Sequence, residues 1–217
     1  MNTVYGNIIS PYARKVYLTL ELKGAPFEAR DVLPHDTEPA FRTTSWLGKI
    51  PGFEDEEVRI SDSSVICDYL DHKYPTPSIY PDDAAERAQA LWLEEYADTH
   101  LQDLLLRGVV MERVIKPTVR KEPTDEARLA RIQSRDLPPE LDYLEARVDG
   151  PFLVGGQLSI ADLAVVTAFV NARYASYEVD ASRWPALAGY LMRQLASPLF
   201  EQRLALETAY LESVTQR

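Results

Sequence analysis

Cysteine, histidine and positive charge are the scarce commodities in this 217-residue sequence. The single thiol, Cys67, excludes an intrachain disulfide framework and any zinc site built on several cysteines. His35, His72 and His100 have no metal-ligand spacing, so no metal is expected. Lys plus Arg number 23 against 34 Asp plus Glu, a formal net charge of −11. Such a chain lacks the cationic footprint of a nucleic-acid binder, and anionic lipid would repel it. No window approaches the roughly 18 apolar residues of a spanning helix. Ser10, Pro11, Arg14 and Lys15 interrupt the N-terminus where a secretory signal needs an apolar run of about 7–15 residues. These absences lead to a cytoplasmic protein that engages neither membrane nor nucleic acid. What is present is an ordinary globular balance, 46% hydrophobic and 26% charged, enough for a large core.

Two textures divide the chain. Thr3-Val4-Tyr5-Gly6 is a short β-prone run ending in glycine. From Pro11, apolar residues recur at three- and four-residue spacing (Val16, Tyr17, Leu20) with Gly24 beyond, which predicts a helix. Phe27 to Val32 reads as a second strand, and a β-α-β opening implies a parallel pair with a crossover helix. The stretch 34–47 is ambiguous, with Phe41 marking one helical turn. Gly52–Asp55 and Val58–Ile60 read as a hairpin across the acidic turn Glu56-Glu57. Ser61-Asp62-Ser63-Ser64 then opens a helix, because short oxygen side chains satisfy orphan N–H groups. That helix stops at Tyr74-Pro75.

Three prolines in residues 74–83 make the one clear linker. Beyond it the pattern is helical over 84–113, with a bend expected across Lys116–Glu122 around Pro117. Thr124-Asp125 restarts a helix to about Val148, with a kink or break at Pro138-Pro139. Leu158-Ser159-Ile160-Ala161-Asp162-Leu163 opens a buried helix: Ser159 is the N-cap, the Asp162 carboxylate reaches back to the cap amide, and Leu158 and Leu163 form a hydrophobic staple. The domains expected are 1–80 and 81–217.

Three short motifs bear on chemistry. Ser10-Pro11-Tyr12-Ala13-Arg14-Lys15-Val16 lies between a strand and a helix start, where N–H groups and the helix dipole favour an anion. A hydroxyl there can donate to a thiolate or oxyanion, or simply cap the helix with Pro11 at its first position. Gly48-Lys49-Ile50-Pro51 precedes the third strand, where a proline that cannot donate to the ladder marks a bend. Asp62-Ser63 is again a cap or a ligand pair. Order and spacing carry more information than any one of these.

Together they resemble the glutathione transferase family. A strand leads to S-P-Y-x-R-K-V, then G-K-[VI]-P, then an acid–Ser pair opening a helix. A Pro-rich linker and a helical half with an S-x-A-D capping box complete the likeness, which covers essentially the whole chain. The resemblance implies an α/β thioredoxin-like N-terminal domain of β-α-β-α-β-β-α order over 1–80, an all-α helical C-terminal domain over 81–217, and a homodimer. It places Ser10 at the thiol-activating position of the serine-type classes and makes Pro51 the cis-proline. It gives Ile50 the backbone pairing with the cysteinyl unit of glutathione, Asp62 and Ser63 the γ-glutamyl end, and Lys49 an approach to the tripeptide. Two positions depart from the pattern: Ser45-Trp46 stand where members often carry Asn-Pro, and Gly52 follows Pro51 where a small apolar side chain is more usual.

The function implied is conjugation of the glutathione thiol to a small electrophile, as in detoxification, with glutathione as co-substrate and no further cofactor. A free thiol has a pKa of about 8.5. One hydrogen bond to a charged group supplies about 1.5–3 kcal/mol, or roughly one to two pKa units. A serine hydroxyl at a helix N-terminus therefore suffices. The electrophile is expected at the interdomain cleft, near Leu104, Arg107, Met111 and Phe169. The thiol-transfer branches carry cysteine where this chain has Ser10, and the isomerase branch typically shows S-S-C-x-W-R, which is absent. Tyr5 lies inside the first strand and reads as structural; Cys67 reads as a small buried apolar residue. The alternative is a non-catalytic transferase-like binding or regulatory module.

Overall fold

The structure, a computed structural model, describes residues 1–215. The chain divides into two compact units: Met1–Tyr80 joined by the segment from Ala196 onward, and Pro81–Leu195.

The first unit runs β1 (Asn2–Tyr5), α1 (Pro11–Leu22), β2 (Phe27–Arg30), α2 (Pro39–Thr44), β3 (Gly52–Glu54), β4 (Arg59–Ser61) and α3 (Ser63–Lys73). Its sheet has the order β2-β1-β3-β4. β1 and β2 are parallel with Asn2 opposite Phe27, as a crossover helix requires. β3 runs antiparallel to both neighbours, with Gly52 level with Tyr5 on one side and Ser61 on the other. The apolar side chains of Val4, Val16, Leu20, Phe53, Ile66 and Leu70 are fully buried and form the core. The region around Phe41, expected to hold one helical turn, is the six-residue α2, capped by the Glu38 carboxylate 2.8 Å from the Phe41 amide.

α1 is enclosed on more than its sheet-facing side, because α3 and the last helix, α10 (Pro198–Thr215), both pack on it. Two charged residues of α1, Arg14 and Lys15, are consequently buried and find partners on those helices. Arg14 makes a bidentate pair with Glu207, both bonds 2.6 Å, and neither side chain has any exposure. Lys15 Nζ donates to Ser64 Oγ at 3.0 Å. Arg203 of α10 pairs with Glu21 and lies over the Tyr17 ring. Through these pairs residues from 196 onward pack with the first unit.

The second unit contains α4 (Ala84–Tyr96), α5 (Gln102–Leu104), α6 (Glu126–Arg131), α7 (Leu137–Glu145), α8 (Ile160–Tyr174) and α9 (Pro185–Leu195), with π-helical stretches at Ala97–Leu101, Leu105–Arg120 and Ile132–Asp136. α8 is buried continuously from Ile160 to Ala172, as its apolar run predicts. Its capping carboxylate behaves as expected: Asp162 Oδ2 accepts from the Ser159 amide at 2.8 Å, while Oδ1 takes the Leu153 amide and the Tyr190 hydroxyl. Burial pushes the Asp162 carboxyl up, against these donors.

Two expectations about proline need correction. The helix does not bend at Lys116–Glu122 but continues in π geometry through Pro117 to Arg120, ending where Lys121 turns left-handed at φ 56°. Pro117 lies on the exposed surface, and Thr118 Oγ1 donates to the Val114 carbonyl at 2.6 Å, supplying a donor beside the one proline lacks. Pro138 and Pro139 do not break a helix either. They occupy the first turn of α7, directly after the π-helical stretch Ile132–Asp136.

Candidate functional site

Sheet register brings the three motifs to one end of the first unit. Gly52 is level with Tyr5 and with Ser61, so one residue further Pro51 stands between Gly6 and Asp62. Gly6 is the close-approach point. A Cβ placed there would lie 2.9 Å from Ala13 Cβ and 3.8 Å from both Ile50 Cβ and Pro51 Cα, so a side chain would part α1 from the Ile50-Pro51 strand. The Gly6 carbonyl accepts from the buried Tyr17 hydroxyl at 3.0 Å, which fixes the turn from behind.

Ser10 caps α1 with extended backbone (φ −68°, ψ 126°), and Pro11 follows at the first helical position. Its Oγ accepts from the Ala13 amide at 3.4 Å, a long bond. The hydroxyl proton has no acceptor among the described residues and remains available to a ligand. Ser10 is 9% exposed, reachable but sheltered. Tyr5 is committed elsewhere: its hydroxyl donates to Glu54 Oε1 at 2.8 Å. Burial and then that hydrogen bond push its pKa up to about 12, which removes it as a phenolate near neutrality.

The Ile50–Pro51 peptide is cis. Ile50 is half-buried, and its N–H and C=O make no hydrogen bond within the described residues, leaving both for an extended chain. The approach is tied down by Ser45, whose hydroxyl donates to the Lys49 carbonyl at 2.7 Å and whose carbonyl accepts from Gly48. Gly48 has φ 65°, and a Cβ there would strike the Arg42 guanidinium and the His35 ring. Ser45 and Gly48 thus hold this loop without the Asn-Pro pair that the resemblance leads one to expect. Lys49 itself is exposed, and its ammonium forms no ion pair among the described residues.

Asp62 is the N-cap of α3 and holds φ 83°, a conformation L-residues rarely adopt. Its Oδ1 accepts from the Ser64 and Val65 amides at 3.0 and 3.4 Å, while Oδ2 has no partner among the described residues. Ser63, the first residue of α3, is buried. The helix N-terminus offers donors to a carboxylate, and Asp62 offers an acceptor to a cation.

The four residues expected around the electrophile all lie in the second unit. Leu104, Arg107 and Met111 are on α5 and the π-helical stretch after it; Phe169 is on α8, which packs against that stretch. Phe169 is buried, Leu104 and Met111 are half-buried, and Arg107 is exposed and paired with Asp103. Among the described residues no group of three His, Cys, Asp or Glu could hold a metal ion. Cys67 is buried, with its sulfur 3.3 Å from Thr19 Oγ1.

Sequence reasoning missed Asn7. Its amide donates to Asp31 Oδ1 and to the Tyr210 hydroxyl, both at 2.9 Å, and its Oδ1 accepts from the Ile9 amide at 3.2 Å. An Asx-type closure two residues long was legible from Asn7-Ile8-Ile9; its partner 203 residues away was not.

Comparison with known proteins agrees in both halves. Residues 4–78 match the family model "Glutathione S-transferase, N-terminal domain", and residues 126–193 match "Glutathione S-transferase, C-terminal domain". Human glutathione S-transferase theta-2 is 31% identical over 199 residues, covering 85% of this chain and 76% of its own. A probable maleylacetoacetate isomerase of Vibrio cholerae is 29% identical over 211 residues, covering 92% of this chain and 93% of its own. The chain spans 63% of the length of glutathione S-transferase L3 of Arabidopsis thaliana, at 29% identity. A crystal structure of a glutathione S-transferase from Rhodospirillum rubrum superposes with a TM-score of 0.84 at 25% identity, covering 94% of this chain and 92% of that one.

Proposed function

Because the chain belongs to the glutathione S-transferase family, we propose that it attaches the glutathione thiolate to a small electrophile, with Ser10 stabilising the thiolate. The observation that carries this reading is the Ser10 hydroxyl at the N-terminus of α1, its proton uncommitted, across Gly6 from Ile50. In this reading the cysteinyl unit of glutathione lies extended along Ile50 and exchanges hydrogen bonds with its N–H and C=O, as an added strand does. The thiol then meets Ser10, which donates to the sulfur as its proton passes to solvent. The thiolate attacks the electrophilic carbon; a C–S bond forms and the leaving group departs with its electron pair. Asp62 Oδ2 accepts from the γ-glutamyl ammonium, Ser63 and the α3 N-terminus hold the adjacent carboxylate, and Lys49 approaches the tripeptide's other end. Leu104, Arg107, Met111 and Phe169 are proposed to meet the electrophile. A cytoplasmic homodimer is part of the same reading.

The test is Ser10→Ala. Loss of one charge-assisted hydrogen bond should raise the pKa of bound glutathione by about one to two units, and turnover at about pH 6.5 should fall roughly ten- to hundredfold. Glutathione affinity should change little, and alkaline pH should restore much of the rate. Coincident thiolate-absorbance titrations of the two proteins would leave Ser10 as a helix cap only. Retention on immobilised glutathione without turnover of any electrophile would favour the non-catalytic binding module.

The Vibrio cholerae relative favours a second reading, glutathione-dependent isomerisation. There the thiolate adds to a double bond, rotation follows, and the sulfur is expelled again. Net consumption of thiol separates the two: conjugation uses one glutathione per turnover, whereas isomerisation returns it.

A further inference from the structure

The turn that presents Ser10 is held from the far end of the chain. Asn7 fixes it through its side chain on three sides, to Ile9, Asp31 and Tyr210, while its carbonyl accepts from the Ser10 amide at 3.0 Å. Asn7 is 7% exposed, so few of these bonds can be exchanged for water. A second grip lies beside the first. Arg14 Nη2 donates to the Ile9 carbonyl at 3.3 Å, and the same guanidinium is clamped by Glu207. Glu207 and Tyr210 are three residues apart on α10 and therefore share a helix face. One holds the turn through Arg14, the other through Asn7.

A serine that merely caps a helix needs no such bracing, since its own bond to the third amide positions it. Here that bond is long, 3.4 Å, so the backbone of residues 6–10 decides where the hydroxyl stands. We propose that Asn7 and Tyr210 are positioning residues for Ser10, making α10 part of the thiolate-stabilising machinery; this rests on the reading of Ser10 given above. The charged groups facing Asn7 and its turn are Asp31, Arg14 and Glu207. Removing the Tyr210 hydroxyl leaves one Asn7 N–H without its acceptor and loosens one of the two grips that α10 has on the turn, the Arg14–Glu207 grip remaining. A hydrogen bond to a thiolate weakens steeply as its angle and length drift.

The experiment titrates the thiolate absorbance of bound glutathione in the full chain, comparing wild type, Tyr210→Phe, Asn7→Ala, Ser10→Ala and the double variant Ser10→Ala/Tyr210→Phe. Tyr210→Phe removes one oxygen and keeps the ring. It is expected to raise the bound thiol pKa by about half a unit, read as a threefold loss of turnover at about pH 6.5 that alkaline pH repairs. Asn7→Ala should shift it further, and Tyr210→Phe should add nothing once Ser10 is alanine. A purely structural role lowers the melting temperature and leaves the titration on the wild-type curve, which overturns the proposal. So does a shift that persists in the Ser10→Ala background. If Ser10→Ala itself shifts nothing, the thiol-activation reading falls first and takes this one with it; if Ser10→Ala shifts and the other two do not, only the positioning role is lost.

Discussion

Asp62 caps α3 with one carboxylate oxygen and in the proposed function holds an ammonium with the other, and a left-handed backbone is the cost. A non-glycine residue at φ 83° stores about 1–3 kcal/mol of strain. Its cap bonds to Ser64 and Val65 offset part of this. Asp62→Asn separates the roles, because asparagine caps as well as aspartate but lacks the charge that would hold an ammonium. Its apparent KM for glutathione should rise about ten- to hundredfold with the KM for the electrophile nearly unchanged, a range set by one charged hydrogen bond. Steady-state kinetics with each substrate varied in turn checks it, and equal effects on both would remove Asp62 from the glutathione end. At this scale the sequence was informative wherever a residue type is demanded locally: a hydroxyl before Pro11, an acid before Ser63. It was silent on Asn7 and Tyr210, whose meaning lies in a contact across 203 residues.

Elements, unlike residues, went unread where charge rather than apolar spacing decides the packing. α10 buries Phe200, Arg203 and Glu207 at positions i, i+3 and i+7, a helical core stripe in which two of three members are charged. A hydrophobic pattern cannot find such a face, because the apolar surface it seeks has been replaced by ion pairs. The π-helical stretch Leu105–Arg120 shows the same thing through Glu112, whose buried carboxylate accepts from Lys116 at 2.7 Å, Arg128 at 2.6 Å and the Asp125 amide at 2.9 Å. Burial pushes Glu112 up, but the bonds to Lys116, Asp125 and Arg128 outweigh it and hold the group down to about 2, against an ordinary 4.5. A carboxylate with a depressed folded pKa contributes its full stabilisation above the unfolded value and loses it as pH falls. Thermal stability should therefore fall between pH 4.5 and about 2 in the wild type. Glu112→Gln should begin less stable at neutral pH and lack that acid-dependent part. Parallel curves for the two proteins across this window would contradict the assignment.

For the whole molecule, the first and second units part between Tyr80 and Pro81, inside the Pro-rich stretch at 74–83. The second boundary, at Leu195, carries no comparable linker and was invisible. Large apolar side chains remain on the surface of the chain: Trp46 is 86% exposed, Leu47 63% and Leu33 62%. A second chain would cover such side chains in the homodimer proposed above. Sedimentation equilibrium at micromolar concentration should give twice the chain mass, and a single monomeric species would exclude the dimer.

The return of α10 to the first unit also sets a clock. A ribosome delivers Ser10, Ile50 and Asp62 early, yet Glu207 and Tyr210 emerge only after the whole of residues 81–195. At about 5–20 residues per second that interval lasts roughly 6–23 s. Throughout it the nascent first unit has its sheet and its motif residues but not the brace on the turn, and the buried Arg14 has yet to meet Glu207. Translation order thus leaves this unit unfinished until the second has been made. Premature termination between residues 81 and 197 would yield a chain with every recognisable motif of its first eighty residues and an Arg14 guanidinium without the Glu207 carboxylate that clamps it.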